Sequence, residues 1–335
     1  MRDQFLARVL YLVQSYPQIS ETYIQAELDR VKRRFEIHIS TLHDPDLVYD
    51  RHEPFTKLTS GTREELAELA RQYRPDIVHG HWMQLAPRLW RLAREAGTFF
   101  TVRSHSFDTL GNQFLSNPNV IRAVNHPICR GVLCFPYAVD RLRSVGVDPD
   151  KIHPCWPVVD IPKFRNSGPN GADIMNVGAA LPKKAMTLYV DLAGLCPSLR
   201  FNLYMLGYDS SSILQYARQV DSPVNIVPPV QPDDMPREYK KHRWLVYTAS
   251  KQLNTVGWPA SLAEAQASGV GVLVQNIRPD LKEYVGTGGY VFDSLDEAQR
   301  IISNPFPEEK RQAAFLNAEK SNADSHIDLL YQLWA

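Results

Sequence analysis

Short apolar runs alternate with amphipathic segments along nearly the whole chain, and this alternation constrains the fold more than any other feature. Strand candidates at 9–13 and 77–79 are followed by segments whose apolar residues recur at helical spacing, as Ile24, Leu28 and Val31 do. A regular alternation of strand and helix is typical of a parallel sheet with helices on both faces. The sequence therefore predicts an α/β fold.

The alternation pauses once, between residues 154 and 171, where Pro, Gly, Asn and Ser residues cluster. It restarts at the strand candidate 174–177 and finishes in a helical region at 308–333. A length of 335 residues fits two domains, since a domain has roughly 150 residues. We therefore predict an N-terminal domain, a second α/β domain, and a C-terminal helix that packs back toward the first domain. The predicted bounds are 1–160, 161–310 and 311–335.

The composition narrows the functional class. The 37 Lys and Arg residues balance the 37 Asp and Glu residues, which argues against a nucleic-acid partner because phosphate must be met by an excess of cations. We find no apolar run of the roughly 18–20 residues that a bilayer-spanning helix needs. The scattered cysteines are expected to be reduced thiols, which predicts a cytoplasmic protein. They are Cys129, Cys134, Cys155 and Cys196.

The strongest local signal is the segment SLAEAQASGVG at 261–271. Its small residues allow a helix to pack closely on the sheet, and Gly269 ends that helix. Glu264 is expected in the first turn, where its carboxylate can accept two hydrogen bonds from the vicinal hydroxyls of a ribose. The alternative is a carboxylate that only complements the helix dipole.

This segment resembles the Glu-Ala-x-Ala-x-Gly signature of retaining glycosyltransferases of family four. Further segments resemble motifs of the same family in the expected order, and the first of them is similar to the opening of exopolysaccharide-type members. They are SYPQISETYI at 15–24, DIVHGH at 76–81, TVRSHSFD at 101–108, NVGAALPKKA at 176–185, and PDLKEYV at 279–285 followed by GYVF at 289–292.

The resemblance covers nearly the whole chain and implies the GT-B fold, in which two Rossmann-like domains face each other across a cleft. It implies transfer of a sugar from a nucleotide-sugar donor to a saccharide or lipid-linked acceptor, with retention of the anomeric configuration. It implies no cofactor and no metal ion in the active site.

The resemblance places the donor in the second domain. Glu264 would hold the ribose, and Lys184 would neutralise the diphosphate as the glycosidic bond breaks. Taken alone, Lys184 also fits a solvated lysine at a helix start. Gly207 and Tyr208 lie where the family has a loop near the donor base. The other donor-binding candidates are Gly178, Asn254 and Gly257.

The resemblance places two further catalytic candidates, besides Lys184, in the first domain. His105 would contact the transferred sugar, and Asp108 would orient the loop or bind the acceptor. As isolated residues they also fit a structural histidine and a turn residue.

The predicted acceptor contacts lie near the start of the first helix. Ser20 is expected to be the N-cap of that helix, with its hydroxyl and the free N–H groups near a phosphate or a sugar oxygen. Glu21, in the first turn, would repel an anion and so favours a sugar hydroxyl. The alternative is that Ser20 only caps the helix. Arg103 is the third acceptor candidate.

Two residues depart from the family pattern. Val256 stands where the family has a Glu that contacts the donor sugar, and Ala179 stands where it has an Arg. Arg103 or Asn254 are candidates to replace the lost contacts. The departures also leave open an impaired homologue that acts as a binding or scaffold subunit. A nucleotide-sugar epimerase is a further alternative.

Two expectations concern ions and lipids. His79 and His81 are expected to point to opposite faces of their strand, which would prevent them from sharing a metal ion. Two helices carry basic clusters that are either solvated faces or a surface resting on anionic lipid at the inner face of a membrane. The clusters are Arg30, Lys32, Arg33 and Arg34, and Arg88, Arg91 and Arg94.

Overall fold

The structure is a computed structural model that describes residues 6–111, 115, 117–207 and 209–335. It divides into two units, each with its own sheet. Unit 1 consists of Met1–Val158 and Ala323–Ala335, and unit 2 consists of Val159–Asn322.

Unit 1 contains a seven-stranded parallel sheet with the strand order β3-β2-β1-β4-β5-β6-β7. The order reverses direction between β1 and β4, which in open α/β sheets is where ligands bind, at the carboxyl ends of the strands. The strands are β1 Arg8–Ser15, β2 Glu36–His43, β3 Phe55–Lys57, β4 Ile77–His81, β5 Phe99–Arg103, β6 Cys129–Cys134 and β7 Ile152–Pro154. The helices are α1 Thr22–Val31, α2 Arg63–Tyr73, α3 Ala86–Ala96, α4 Ser106–Leu110, α5 Pro118–Val124 and α6 Val139–Ser144.

Unit 2 contains a six-stranded parallel sheet with the strand order β10-β9-β8-β11-β12-β13. Its strands are β8 Asp173–Ala179, β9 Phe201–Leu206, β10 Asn225–Val227, β11 His242–Tyr247, β12 Gly271–Gln275 and β13 Gly289–Phe292. Its helices are α7 Ile161–Phe164, α8 Met186–Leu195, α9 Ser210–Gln219, α10 Met235–Lys240, α11 Ala260–Ala267, α12 Asp280–Val285, α13 Leu295–Ile302 and α14 Glu308–Ala318.

The last helix, α15 Ala323–Trp334, belongs to unit 1. The predicted helical region 308–333 is therefore interrupted, because the chain leaves unit 2 at Asn322 and α15 packs against α1. The apolar side chains Ile327, Leu330 and Trp334 join the core that lies between α1 and the unit 1 sheet.

The central strands are apolar on both faces because helices cover both. In unit 1, α2, α3, α5 and α6 pack on one face, and α1 and α15 pack on the other. Val9 and Leu10, adjacent on β1, are both buried although they belong to the cores on opposite faces. Strands of this kind form continuous apolar runs rather than alternating patterns, and this explains why the sequence pattern located the central strands.

Gly271, the first residue of β12, tests how tightly the unit 2 core is packed. A Cβ at this position would lie 2.5 Å from Cε3 of Trp244 and 2.8 Å from Cγ of Phe306. We expect Gly271→Ala to lower the free energy of unfolding by about 1–3 kcal/mol through overpacking. Urea unfolding followed by circular dichroism measures the change.

Gly194 in α8 is the matched control, because a Cβ there would meet no atom of the described residues within 4 Å. Gly194→Ala should raise the free energy of unfolding by up to about 1 kcal/mol, since Ala restricts the unfolded chain and favours a helix. Changes of the same sign in both variants would contradict this account of the packing.

Candidate active site

Buried polar side chains of unit 1 cluster on the sheet face that packs against α1 and α15. Strand register places Tyr11 beside His79 and His79 beside Thr101. Residues two apart on a strand share a face, so His79 and His81 both lie against Glu27 of α1, with Nε2 atoms 3.2 and 3.3 Å from its Oε1. The expectation that the two histidines point to opposite faces was wrong, because it misapplied the two-residue period of a strand.

Glu27 is the centre of this cluster. Its Oε2 accepts hydrogen bonds from Arg103 Nε at 2.9 Å and Nη2 at 2.5 Å, and its Oε1 accepts one from Tyr11 Oη at 3.2 Å. Burial pushes the pKa of Glu27 upward, but Arg103 and the two imidazoles outweigh it and hold the pKa well below its usual range. Glu27 and Arg103 therefore form a buried ion pair.

Glu27, His79 and His81 are also the residues that could hold a metal ion, since one ligand atom of each lies within 4.8 Å of the others. The rest of the cluster does not fit that use. Arg103 occupies Oε2 of Glu27, and Tyr11 donates to Oε1. A divalent cation would stand beside a guanidinium and displace a hydrogen bond, so a hydrogen-bonded cluster accounts for these residues better.

His105 lies two residues past the end of β5, beside this cluster. Its Nε2 is 3.1 Å from Nδ1 of His81, and its ring packs against Tyr23 and Trp82 with centroids 4.7 and 5.1 Å away. The residue is 9% exposed. The sequence-predicted catalytic histidine is therefore packed among aromatic rings, with a narrow exposed edge.

Asp108 is fully buried and holds the loops around His105. One carboxylate oxygen accepts the His105 N–H at 2.6 Å and the other accepts the Met83 N–H. Burial raises the pKa of Asp108 to about 7, and the N–H donors limit that rise. Of the two roles predicted for Asp108, this placement supports the orientation of the loop.

Trp82, next to these loops, has a strained backbone. Its φ is 71° although it is not a glycine, and its N–H donates to Arg103 O at 2.7 Å. A bulky residue in this region costs of order 1–3 kcal/mol and persists where the surroundings over-determine it, as they do at binding and catalytic sites. The strain makes the carboxyl ends of β4 and β5 a candidate functional edge.

Arg103 is a partner of Glu27 rather than an exposed ligand contact. It is 4% exposed, and Nη1 also lies 3.0 Å from Sγ of Cys155. The Arg103 guanidinium is therefore bound by Glu27 and Cys155 instead of facing an acceptor. Cys155, like the other three cysteines, is a buried free thiol.

The start of α1 differs from the prediction. The helix begins at Thr22 with Glu21 as its N-cap, so Ser20 is not the cap and Glu21 is not in the first turn. The Glu21 N–H bonds to Gln18 O in a turn that delays the helix by one residue. Within the part of the chain that the structure describes, Oε2 of Glu21 has no hydrogen-bond partner.

Burial raises the pKa of the Glu21 carboxyl to about 8, and Asp46 contributes to that rise. A pKa that is higher in the folded than in the unfolded protein stabilises the fold at low pH, and the benefit is lost as the pH rises through 8. We expect Glu21→Gln to gain stability relative to the wild type by about 1–3 kcal/mol between pH 5 and 9. Thermal unfolding across that range measures it.

Glu36→Gln is the control for this titration, because Glu36 is exposed at the start of β2. Because its side chain is exposed to solvent, this replacement should change the free energy of unfolding by less than about 0.5 kcal/mol. A flat difference for Glu21→Gln would show that this carboxyl is ionised in the folded protein.

In unit 2, Lys184 lies in the loop that follows β8. Its carbonyl accepts a hydrogen bond from Thr248 Oγ1 at 2.9 Å, and its ammonium is 5.8 Å from the ring centre of Tyr247. Gly178 has φ +141°, and a Cβ there would lie 2.2 Å from Nζ of Lys184. The glycine therefore leaves room for the amine directly over the strand end.

The electrostatics of Lys184 match a site for an anion. Burial, with a contribution from Lys183, lowers the pKa of Lys184 to about 7. Among the described residues Lys184 makes no ion pair. A neighbouring negative charge would restore the protonated form, since opposite charge favours ionisation.

Glu264 is the fifth residue of α11, not a residue of its first turn as predicted. Pro259 precedes the helix and sets its start at Ala260. The side chain is 8% exposed, and Oε2 accepts a hydrogen bond from Tyr239 Oη at 2.7 Å. The helix dipole therefore does not explain this carboxylate.

The loop that contains Val256, where the family has a Glu, is held by two side chains that the sequence analysis did not select as site residues. The Val256 carbonyl accepts a hydrogen bond from Arg278, whose Nε and Nη2 bind Asp280 at 2.8 and 3.0 Å. Trp258 Nε1 donates to Asp280 at 2.8 Å. Asp280 is the second residue of the family motif at 279–285 and Arg278 directly precedes it, and that position was the available signal.

The other donor-binding candidates lie in loops of unit 2. Asn254, with φ 38°, has its Oδ1 3.4 Å from Nη1 of Arg278, and Gly257 is buried two residues before Pro259. Gly207 follows β9 with φ 47°. Tyr208 lies outside the described residues.

Most of the first basic cluster is engaged within unit 1. Arg30 and Arg33 pair with Asp324 at 3.1 and 3.3 Å, and Lys32 pairs with Glu53 at 2.5 Å. Arg34 lies over the ring of Tyr331. Within the described residues, we find no helix of the length and apolarity required to cross a membrane.

Comparison with solved structures identifies the architecture. The Anabaena protein HepE in complex with UDP and glucose is 14% identical, with a TM-score of 0.77 over 97% of this chain and 98% of that chain. The galactosyltransferase WaaB of the lipopolysaccharide outer core is 13% identical, with a TM-score of 0.67 over 97% and 98%. Sucrose-phosphate synthase from Thermosynechococcus elongatus is 14% identical, with a TM-score of 0.73 over 98% of each chain.

The chain has the GT-B fold. No protein-family model and no curated protein sequence matches it. The GT-B assignment confirms the fold class that the order of sequence motifs implied, with one parallel α/β sheet in each unit.

Proposed function

We propose that the protein is a glycosyltransferase that moves a sugar from a nucleotide-sugar to a saccharide or lipid-linked acceptor with retention of the anomeric configuration. The observation that carries the proposal is Lys184, a half-buried amine over Gly178 with a pKa near 7 and no counterion among the described residues. A diphosphate supplies the missing charge. HepE, which shares the fold, is bound to UDP and glucose in its solved structure.

The remaining donor contacts follow from the sequence resemblance. Glu264 holds the ribose hydroxyls, with Tyr239 fixing the orientation of its carboxylate. Gly207, Asn254 and Gly257 line the donor. Uridine diphosphate is the first nucleotide to test, because three solved HepE structures carry UDP or UDP-glucose.

The acceptor half lies in unit 1. His105 contacts the transferred sugar, and Ser20 and Glu21 bind acceptor hydroxyls. A carboxyl that burial keeps protonated at neutral pH, as at Glu21, can donate and accept hydrogen bonds without repelling a donor phosphate. The reaction requires no cofactor and no metal. We propose a lipid contact only for the α3 cluster, because the α1 cations have partners within unit 1.

Binding of UDP tests this assignment through its dependence on pH. If the diphosphate requires protonated Lys184, affinity should be constant below pH 7 and fall by about tenfold per pH unit above the pKa. Lys184→Met should weaken binding at pH 6 and remove most of the pH dependence. Isothermal titration at pH 6, 7 and 8.5, with and without EDTA, measures both.

Lys183→Met is the matched control, since Lys183 is the adjacent cation and its Nζ lies 3.4 Å from Thr255 O. It should weaken binding less and leave the pH dependence in place. Equal affinities in the wild type and Lys184→Met would refute the role of Lys184. UDP binding without turnover of any sugar conjugate would identify a binding homologue instead of an enzyme.

The ribose contact has its own test. Glu264→Gln should weaken UDP binding by about 1–3 kcal/mol, because hydrogen bonds to a charged carboxylate become bonds to a neutral amide. Affinity for free inorganic pyrophosphate should stay the same, since it has no ribose. Glu283→Gln, an exposed residue of α12, is the control. A parallel loss for UDP and pyrophosphate would mean that the variant disturbs the site as a whole.

A further inference from the structure

We propose that Glu27, acting through His81, fixes the imidazole of His105 in the tautomer that carries its proton on Nε2. Three side chains from α1, β4 and the loop after β5 form one line of hydrogen bonds. Glu27 and His81 are thus positioning residues for His105. The tautomer itself follows from the geometry, and its consequence for turnover rests on the proposed function.

Glu27 determines which atom donates in each hydrogen bond between Glu27, His81 and His105. An ionised carboxylate can only accept hydrogen bonds, so His81 Nε2, which is 3.3 Å from Glu27 Oε1, carries a proton. Burial lowers the pKa of His81 to about 4, so the ring is neutral and has a single proton. His81 Nδ1 is therefore an acceptor, and the proton in the 3.1 Å contact with His105 belongs to Nε2 of His105.

The other end of the line requires the same tautomer. His105 is the N-cap of α4 and forms a capping box with Asp108, which turns the imidazole toward the Asp108 N–H. A backbone N–H can only donate. Because His105 Nε2 is used by His81, the acceptor is Nδ1, which must lack a proton. Two independent partners at opposite ends therefore specify one arrangement.

A second series of hydrogen bonds, through Trp334 and Thr101, places the proton of His79 on the nitrogen that faces Glu27. Trp334 Nε1 donates to Thr101 Oγ1 at 2.9 Å, and the hydroxyl of Thr101 is 2.7 Å from Nδ1 of His79. With Nδ1 accepting from that hydroxyl, the proton of His79 lies on Nε2, 3.2 Å from Oε1 of Glu27. Within the described residues His79 Nε2 completes no hydrogen bond, so His79 contacts Glu27 through electrostatics, whereas His81 donates to it.

His105 is also kept neutral. Burial holds its pKa well below the usual range, and His81, Arg103 and His79 add to that effect against Glu27. The other groups that face it are Tyr23, Trp82 and Asp108. In the proposed transfer, His105 therefore meets the sugar as a neutral ring of fixed orientation and does not supply a proton.

Nitrogen NMR of the full chain labelled with 15N-histidine tests the tautomer without any substrate. In the wild type, the signals removed by His105→Asn should show a protonated Nε2 and an unprotonated Nδ1, unchanged from pH 5.5 to 8.5. His81→Phe should raise the population of the other tautomer by about fivefold, the scale of one lost hydrogen bond. In UDP-sugar turnover, kcat should fall by about tenfold with KM changed less than twofold.

His79→Phe is the matched control. His79 is equally buried and equally close to Glu27 Oε1, but it makes no hydrogen bond to His105 within the described structure. The His105 tautomer should persist in this variant.

A wild-type His105 that is charged at pH 7 or protonated on Nδ1 would overturn the proposal, even if neither Phe variant folds. Stoichiometric zinc on His79 and His81 would also overturn it, because a metal takes the Nε2 lone pairs. A chain with this tautomer but without transferase activity would contradict only the proposed function.

Discussion

The ion pair between Glu27 and Arg103 is the interaction on which the functional edge of unit 1 depends. It joins α1 to the end of β5, across 76 residues of sequence, and both side chains are nearly inaccessible. Removing one partner of such a pair leaves an unpaired buried charge and costs about 3–5 kcal/mol. The pair therefore explains why neutral imidazoles and a phenol, which supply donors without further charge, surround Glu27.

In unit 2, the cation Lys184 has no ion-pair partner among the described residues. Lys184 is held by its backbone, through Thr248, while Gly178 leaves space for the amine. Burial lowers the pKa of Lys184 to about 7 because desolvation favours the neutral amine. In the proposed function, the donor diphosphate is the anion that restores this charge.

The central strands and the GT-B fold were predictable, because buried parallel strands form apolar runs and the family motifs occur in order. Strands β3, β7 and β10 were not, since three residues at a sheet edge show no periodicity. The start of α11 was readable from Pro259, which would have moved Glu264 out of the first turn. Glu27 had no local signal, because its partners come from β1, β4 and β5 and only the folded sheet brings them together.

Burial favours the neutral form of one titratable group at each of the two candidate sites. Burial raises the pKa of Glu21 to about 8 and lowers that of Lys184 to about 7, so each is pushed toward its neutral form. In unit 1, Glu27 and Arg103 are held in their charged forms and neutralise each other. At neutral pH part of the Lys184 population is uncharged, and a neighbouring anion shifts it to the charged form. In the proposed function that anion is the donor diphosphate, so the protonation of Lys184 and the binding of the donor are linked and depend together on pH.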